Sequence, residues 1–456
     1  MEPLSITEIA NAVRGEVNSG VSLTIDSVST DTRKLEAGDL FIALIGENFD
    51  AHDFLEQAFA NGAKAAIVEA GREYQLDQPL IKVANTTKAL QELAAYYLQQ
   101  FSLTVVAVTG STGKTTTKDF IASVVRQRYK TLKTKGNFNN EIGLPLTLLR
   151  LDDSYQAVVL EMGMRGLGEI KRLTEIAPPD IGVVTNVGKT HIELLGSIDN
   201  IAQAKSELIQ SLDSTGTAVL NADDERVRNM EQVTTAEIMT YGVNNKADVT
   251  ANQIATLAAE DKVSFELNLA TENTFITLPM PGEYNVYNAL AAAAVALKLG
   301  LDLKEIKRGL TTVKLTAQRN QLLQTDDGIQ IINDTYNANP TSVRAGLKTL
   351  HQIASGRKIA VLGDMLELGA VAEKEHYELG AVIVAEEIDY LLTVGDLAAE
   401  IATGAQDNGL DKSKIFTYNN KEGAKDKLEE LMAVDDTILV KASRGMKLEE
   451  IVESIS

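Results

Sequence analysis

Residues 108–120 read VTGSTGKTTTKDF, and this order of small, cationic and hydroxyl side chains suits the holding of phosphate groups. Gly110 and Gly113 let backbone N–H groups approach an anion, a following helix adds the positive end of its dipole, and Lys114 supplies a point charge. Thr115 can hold Mg²⁺, and Ser111, Thr112 and Thr116 complete the loop. The spacing is G-x-x-G-K-T, shorter than the common G-x-x-x-x-G-K-[ST], whose first glycine would fall at Val108. The β-type run LTVVAVT before the loop and the helical pattern after it supply the strand-loop-helix setting that a phosphate loop requires.

Other candidates follow along the chain. Glu161 ends the apolar run AVVL and can reach a metal beside the phosphates, as strand-end carboxylates do in phosphate-loop enzymes. His191, one of four histidines, lies in TNVGKTH, just upstream of SIDNIAQAKSELIQSL, residues 197–212. That stretch has a helical period with Ile198, Ile201, Leu208 and Leu212 on its apolar stripe, and Lys205 falls on the same stripe. Two readings of this lysine stand: its stem covers apolar surface while its ammonium reaches water, or a partner or chemical change occupies a buried amine. Asn285 and Asn288 open GEYNVYNALAAAAVALKLG, Asn285 as a helix cap and Asn288 one turn on, where an amide could bind a nucleobase. The loop NDTYNANPTS, residues 333–342, crowds amides, an Asp and a Pro together; turn chemistry accounts for part of it, and Asn337 and Asn339 are candidates for substrate contact.

The elements that must position these residues are strands alternating with helices. From Leu103 onward AVVL, IGVV and TAVL are buried-type runs separated by helical patterns, which predicts a doubly wound, mostly parallel sheet. After about Thr312 the alternation restarts with IQIIN, KIAVLG, YLLTVG and TILV, a second α/β unit. Asp334, Asp364, Asp396 and Lys441 follow these four runs, at the strand ends where open α/β sheets bind ligands, and are expected to share a site.

Composition narrows the function classes. The 456 residues are 44% hydrophobic and 23% charged, and contain no cysteine, which excludes disulfides, thiolate metal sites and a catalytic Cys. A formal net charge of -21 disfavours a broad nucleic-acid or anionic-membrane surface, so any anionic substrate must be met by local basic pockets. No signal peptide or membrane span is evident, and a cytoplasmic protein with no membrane insertion is expected.

In order along the chain, GSTGKTTT, EMG, TNVGKTH, AQAKSE, GEYNVYNA, NDTYNANP and KASRGMK resemble the motifs of the Mur ligases of peptidoglycan synthesis, over essentially the whole length. STDTR with GDLFIALIGE, NDTYNANPTS and LGDMLELG are similar to the branch that joins D-alanyl-D-alanine to UDP-N-acetylmuramoyl-tripeptide. The resemblance implies an α/β protein of three domains: residues 1–98 for the UDP-sugar peptide, a central ATPase at 99–313 with a P-loop-type, mostly parallel sheet, and a Rossmann-like domain at 314–456. It implies an ATP-dependent amide ligase, monomeric, acting through an acyl phosphate. The neighbouring readings are the ligase adding the third residue and folylpolyglutamate synthetase; a different class is an ATP-driven switch protein. Lys114 and Thr115 would then serve ATP and Mg²⁺, with Glu161 and His191 as further metal ligands. Asn288 would contact adenine, Arg319 a phosphate and Asp334 the ribose. Ser29, Thr30, Asp31 and Arg33 resemble the uridine-diphosphate site, and Asn137, Asn139 and Asn140 in KGNFNNEIG the sugar-peptide end. Lys205 matches a lysine that becomes carbamylated, its anion binding Mg²⁺. Two positions depart from the pattern, Gln318 before Arg319 and Ala51 in FDAHDF, where glycines are usual.

Overall fold

The computed structural model describes residues 1–18 and 20–456, which form two compact units. The first comprises residues 1–107, 129–164 and 168–180; the second comprises 108–128, 165–167 and 181–456.

In the first unit, the strands Val28–Ser29, Leu40–Ile42, Ala65–Glu69 and Leu80–Val83 pair in parallel and in that order, and Glu16–Val17 closes the edge antiparallel to Leu80–Val83. Phe41, Ala43, Ala66, Val68 and Leu80 form part of its apolar core with Leu55 and Ala58. The parallel pair Thr131–Lys133 and Ala157–Glu161 also lies in this unit and carries Glu161 at its end.

The second unit holds two sheets. The strands Ile181–Val184, Thr217–Asn221, Glu237–Gly242 and Val249–Leu257 run parallel; the first two are the buried apolar runs expected of such a sheet, whereas the other two carry polar, partly exposed residues. They continue into Lys262–Asn268 and Asn273–Leu278, which pair antiparallel. Among the described residues the other sheet has the strand order Gln321–Gln324, Gln330–Asn333, Thr437–Lys441, Lys358–Gly363, Tyr390–Val394, Ile415–Tyr418, with an antiparallel first pair and parallel pairing thereafter. Apolar clusters form on alternate residues of these strands: Ile332, Ala360, Leu362, Leu391 and Leu439 face one set of helices, Ile331, Ile359, Val361, Leu392 and Ile438 the other. Burial on both faces is the arrangement of a doubly wound sheet. The alanine-rich helix Tyr284–Lys298 is buried over most of its surface and packs on the helix Lys114–Val125. Among the described residues no helix is long and apolar enough to cross a membrane.

One buried titratable group stabilises a loop of the second sheet. The fully buried His376 accepts a hydrogen bond from Met365 N at Nε2, 2.9 Å, and its Nδ1 donates to Ala372 O, 2.7 Å, so the neutral ring is the form that fits. Burial holds its pKa below the usual histidine range. In the unfolded chain the ring titrates near its ordinary value, so below about pH 6.5 the unfolded state takes up a proton that the folded state resists. Stability should therefore fall as pH drops from 7 to 5, by up to about 1.4 kcal/mol per pH unit from this group. His376→Gln should lose part of that slope in denaturant titrations across the range; an unchanged slope would assign the pH dependence elsewhere.

Candidate functional site

The phosphate loop occupies the turn between the strand Thr104–Thr109 and the helix Lys114–Val125. Gly110 has φ +152°, and a Cβ there would lie 1.8 Å from Thr185 Oγ1. Gly113 is the left-handed N-cap of the helix at φ +78°, and a Cβ on it would meet Asn288 Oδ1 at 2.8 Å. Both positions exclude a side chain, which is the reason for glycine at this spacing. The loop is pinned from outside: Ser111 N donates to Asn186 O at 2.9 Å, Thr112 N donates to Asn186 Oδ1 at 2.9 Å, and Thr185 Oγ1 donates to Thr112 O at 2.6 Å. Lys114 Nζ folds over the loop onto Gly110 O at 2.7 Å. The first-turn N–H groups of the helix, at residues 114–116, then point out of its positive end, as an anion site needs.

A cleft of about 390 Å³ opens in front of this loop, wholly within the second unit. Ser111 to Thr116, Asn288, Arg319, Asp334, Asn337 and Asn339 all line it, together with Lys441. Lys441, delivered by the strand Thr437–Lys441, is buried and donates to Asp334 Oδ2 at 2.5 Å and to Asn337 O at 3.0 Å. Burial pulls its pKa down; Asp334 opposes this and Arg319 adds to it. Arg319 reaches across the cleft, its Nη2 donating to Thr115 Oγ1 at 3.2 Å. Its Nε is buried and lacks a hydrogen-bond partner, as does the Oδ1 of Asn320 next to it. Lys114, Arg319 and Lys441 share the cleft with the carboxylates Asp334, Asp223 and Asp224, of which Lys441 takes Asp334. The Lys114 ammonium and an unmet guanidinium donor beside a glycine loop fit a polyphosphate ligand.

Arg319 is presented by a strained loop. Gln318 and Asn320 on either side have φ +61° and +49°, a region that costs a non-glycine residue on the order of 1–2 kcal/mol. The departure from glycine at Gln318 is therefore real strain, and it is met by contacts: Arg444 Nη1 donates to Gln318 Oε1 at 2.7 Å, Tyr336 N to Gln318 O at 3.3 Å, and Asn320 N to Asp334 Oδ1 at 3.3 Å. Ala51, the second departure, is buried at the start of a short turn of helix and has no positive φ.

The lysine helix spans Ile198–Gln210, with Ser197 as N-cap accepting from Asn200 N. Ile201, Leu208 and Ile209 are buried, Ile198 is half-buried, and Lys205 is 2% exposed. So little exposure means that the side chain does not extend into bulk water, as the snorkelling reading requires. Burial drives its pKa well below the ordinary lysine value, and the nearby charge of Lys114 pushes the same way. His191 sits in a left-handed conformation at the start of the preceding short helix, with Nδ1 2.5 Å from Glu367 Oε2. That contact holds the Glu367 carboxyl below its usual range. His191 and Lys205 belong to the second unit without lining the cleft.

The remaining candidates lie in the first unit. Ser29, Asp31 and Arg33 form one local cluster, Arg33 making a two-pronged pair with Asp31 at 2.9 Å for each prong, and Ser29 Oγ donating to Asp31 O at 3.1 Å; Thr30 lies between them, half-buried. Glu161 is buried and accepts from Asn139 Nδ2 at 2.8 Å; Asn137 is exposed beside it, its carbonyl accepting from Asn139 N. Asn140 Oδ1 accepts from Gly143 N, a local turn contact. Among the described residues no three His, Asp or Glu side chains cluster in a way suited to a metal. Mg²⁺ would need few such ligands here, because it keeps waters and takes phosphate oxygens; the Thr115 hydroxyl at the cleft suits that role.

Several sequence readings are adjusted. Asn285 does not cap its helix: it lies one residue inside, buried, and donates to Pro281 O at 2.7 Å. The Asn288 amide accepts from Thr117 Oγ1 at 2.9 Å and donates to Asn285 Oδ1 at 3.1 Å, which spends both of its ends on the loop's support. Asn339 is the N-cap of the helix Pro340–Ile353. Of the four strand-end residues, Asp334 and Lys441 meet in the cleft, while Asp364 instead accepts from Ala398 N at 2.7 Å and the exposed Asp396 is outside the cleft. Adjacent strands bring the first two together; the strand before Asp364 also borders that of Lys441, but its carboxylate is taken by the Ala398 N–H, and Asp396 follows the next strand out. Sequence reading also passed over Asn186, which pins the loop, and Asp223. Burial would raise the Asp223 pKa, but the N–H groups of Val243, Asn244 and Asn245 and the Tyr287 hydroxyl offset this and hold it low. These partners lie in unrelated segments, and no short motif signals them.

Comparison with known proteins gives three family matches: the Mur ligase family catalytic domain at residues 24–98, the Mur ligase middle domain at 108–296, and the Mur ligase glutamate ligase domain at 318–444. The chain is 42% identical to the UDP-N-acetylmuramoyl-tripeptide--D-alanyl-D-alanine ligase of Bacillus subtilis (strain 168), over 99% of this chain and 98% of the relative. Among solved structures it is similar to MurF from Acinetobacter baumannii, at a TM-score of 0.91 and 33% identity over 100% of this chain and 99% of the other. It is also similar to the MurF ligase from Thermotoga maritima in complex with ADP, at a TM-score of 0.82 and 30% identity over 94% and 96% of the two chains.

Proposed function

The chain belongs to the Mur ligase family, and we infer from that premise that it joins D-alanyl-D-alanine to UDP-N-acetylmuramoyl-tripeptide with conversion of ATP to ADP and phosphate. The observation that carries the nucleotide half of this reading is the glycine loop with Lys114 at a cleft into which Arg319 brings a buried Nε without a partner. Domains at 1–98, 99–313 and 314–456 would divide the work among the UDP-linked substrate, ATP and closure over both. The protein would act as a cytoplasmic monomer, where ATP and UDP-linked precursors are found.

In this reading the loop from Gly110 to Thr116 cradles the phosphates, and Lys114 and Arg319 neutralise charge on the phosphoryl group in flight. Asp334, held by Lys441, receives the ribose. Asn288 acts by supporting the loop and bordering the base; Asn337 and Asn339 form the cleft's far wall. Ser29, Thr30, Asp31 and Arg33 receive the uridine diphosphate, and Asn137, Asn139 and Asn140 the sugar-peptide end. Thr115, Glu161, His191 and a carbamate on Lys205 are the residues that would hold Mg²⁺, which would supply neutralising charge to the phosphates. Lys205 suits that modification: burial and the Lys114 charge both disfavour its ammonium, so the neutral amine adds CO₂ with loss of one proton, and Lys114 then faces an anion. The chemistry itself needs mainly positioning. Phosphoryl transfer to the tripeptide carboxylate forms an acyl phosphate; the dipeptide amine attacks its carbonyl carbon, the amide bond forms, the amine loses a proton and phosphate leaves.

Phosphate release should require ATP, the UDP-linked tripeptide and D-Ala-D-Ala together, and should stay at background when any one is omitted. The same assay run with single D-Ala or with folate and glutamate separates the neighbouring ligases. Equal release with ATP alone would identify a nucleotide switch and refute the ligase.

A further inference from the structure

Tyr336 stands outside the cleft, yet its ring lies against Arg319, a cation that reaches into it. The Arg319 guanidinium carbon is 3.8 Å from the Tyr336 ring centroid, and that of Arg444 is 5.9 Å from the same ring. Tyr336 is not among the cleft-lining residues, whereas Arg319, which it carries, is. Its backbone takes part as well, since Tyr336 N donates to Gln318 O and so holds the strained loop from behind. The guanidinium is otherwise held by one hydrogen bond, to Thr115 Oγ1, and its Nε has none. A planar cation on an aromatic face keeps its in-plane N–H groups aimed sideways and available, which an ion pair with a carboxylate would not. The nearby carboxylate, Asp334, is already taken by Lys441.

We propose that Tyr336 is the positioning residue for Arg319: the ring fixes the plane of the guanidinium so that its unused donors face the nucleotide phosphates. The inference rests on the nucleotide-binding reading of the cleft. Arg444 reinforces the arrangement from the loop after Lys441, through its bond to Gln318 Oε1 and its approach to the ring.

The test is a double-mutant cycle on nucleotide affinity, measured by calorimetry with ADP, AMP and a non-hydrolysable ATP analogue. Tyr336→Leu should weaken the ATP analogue and ADP on the order of tenfold, the equivalent of about 1.4 kcal/mol, and AMP much less. Tyr336→Phe, which keeps the ring face, should retain most of the affinity. On an Arg319→Ala background, Tyr336→Leu should cost nothing further, because the group it aims is gone. If Tyr336→Leu weakens binding equally with and without Arg319, or Phe is no better than Leu, the positioning role is refuted. If the unmodified protein binds none of the three nucleotides, it is the reading of the cleft that fails. Thermal melts of each variant distinguish loss of fold from loss of aim.

Discussion

Lys205→Ala should lose turnover on the order of a hundredfold or more while the protein keeps its helix and its melting temperature, alanine being the best helix former. The expectation comes from where the side chain sits. Lys205 is 2% exposed on a helix that turns Ile201, Leu208 and Ile209 to the same interior, and its two strongest influences, burial and Lys114, both oppose a positive charge. A buried amine whose charged form is opposed by burial and by Lys114 has little structural use as an amine. As a carbamate it becomes an anion that Lys114 stabilises. Formate or acetate, small enough to enter the space left by Lys205→Ala, should restore part of the rate. Lys205→Arg should be inactive and unrescued, because the guanidinium stays protonated and cannot form the same carbamate. Carbon-13 NMR of active protein in labelled bicarbonate should show one protected carbamate carbon. Full activity of Lys205→Arg, or the absence of that signal in active protein, would leave the lysine unmodified and remove the reading.

The second large effect is expected at Lys114. Lys114→Ala should lower turnover on the order of a hundredfold or more, equivalent to about 3 kcal/mol of transition-state stabilisation, with little change in fold. The loop does not depend on this lysine for its shape: Asn186 and Thr185 hold Ser111 and Thr112, and the two glycines accept the tight backbone. What is lost is charge. Lys114 also helps to suppress the Lys205 ammonium, so its removal should raise the bicarbonate concentration needed for half-maximal carbamylation. Rate loss with an unchanged bicarbonate dependence would separate the two lysines, and near-normal turnover would make the phosphate loop a structural turn.

Much of this site is legible in the sequence because its information is local. GSTGKTTT follows a strand and opens a helix, and the backbone demands of Gly110 and Gly113 are written in the residue type. The Lys205 stripe is legible for a similar reason, a helical period over a dozen residues. Legibility ends where a residue acts through distant partners. Asn186 holds the loop from 74 residues away, and Asp223 gathers donors from residues 243–245 and Tyr287. The pairing of Asp334 with Lys441 depends on strand order, which periodicity does not encode, and the same ignorance put Asp364 and Asp396 in one expected site with them. The antiparallel strands after Val249 were accessible in part: Lys262–Asn268 buries Val263, Phe265 and Leu267 with period two. Its neighbours lack so clean an alternation, the bulge between Asn252 and Ala255 breaking the register of one of them.

The order of strands around Lys441 also governs when the site can come into being during synthesis. Thr437–Lys441 lies between Gln330–Asn333 and Lys358–Gly363, pairing with both. A chain emerging from the ribosome makes these two neighbours long before the strand that must part them. Until it arrives they expose unpaired edges, or they meet each other in a pairing that must later open. Asp334 meanwhile has no Lys441 beside it, although Lys114 and the phosphate loop were completed some 300 residues earlier. Nascent chains halted before Thr437 should therefore be aggregation-prone and unable to retain nucleotide. Late insertion of one interior strand makes nucleotide binding wait for Thr437–Lys441, and makes that short apolar segment the point where chaperone protection matters most.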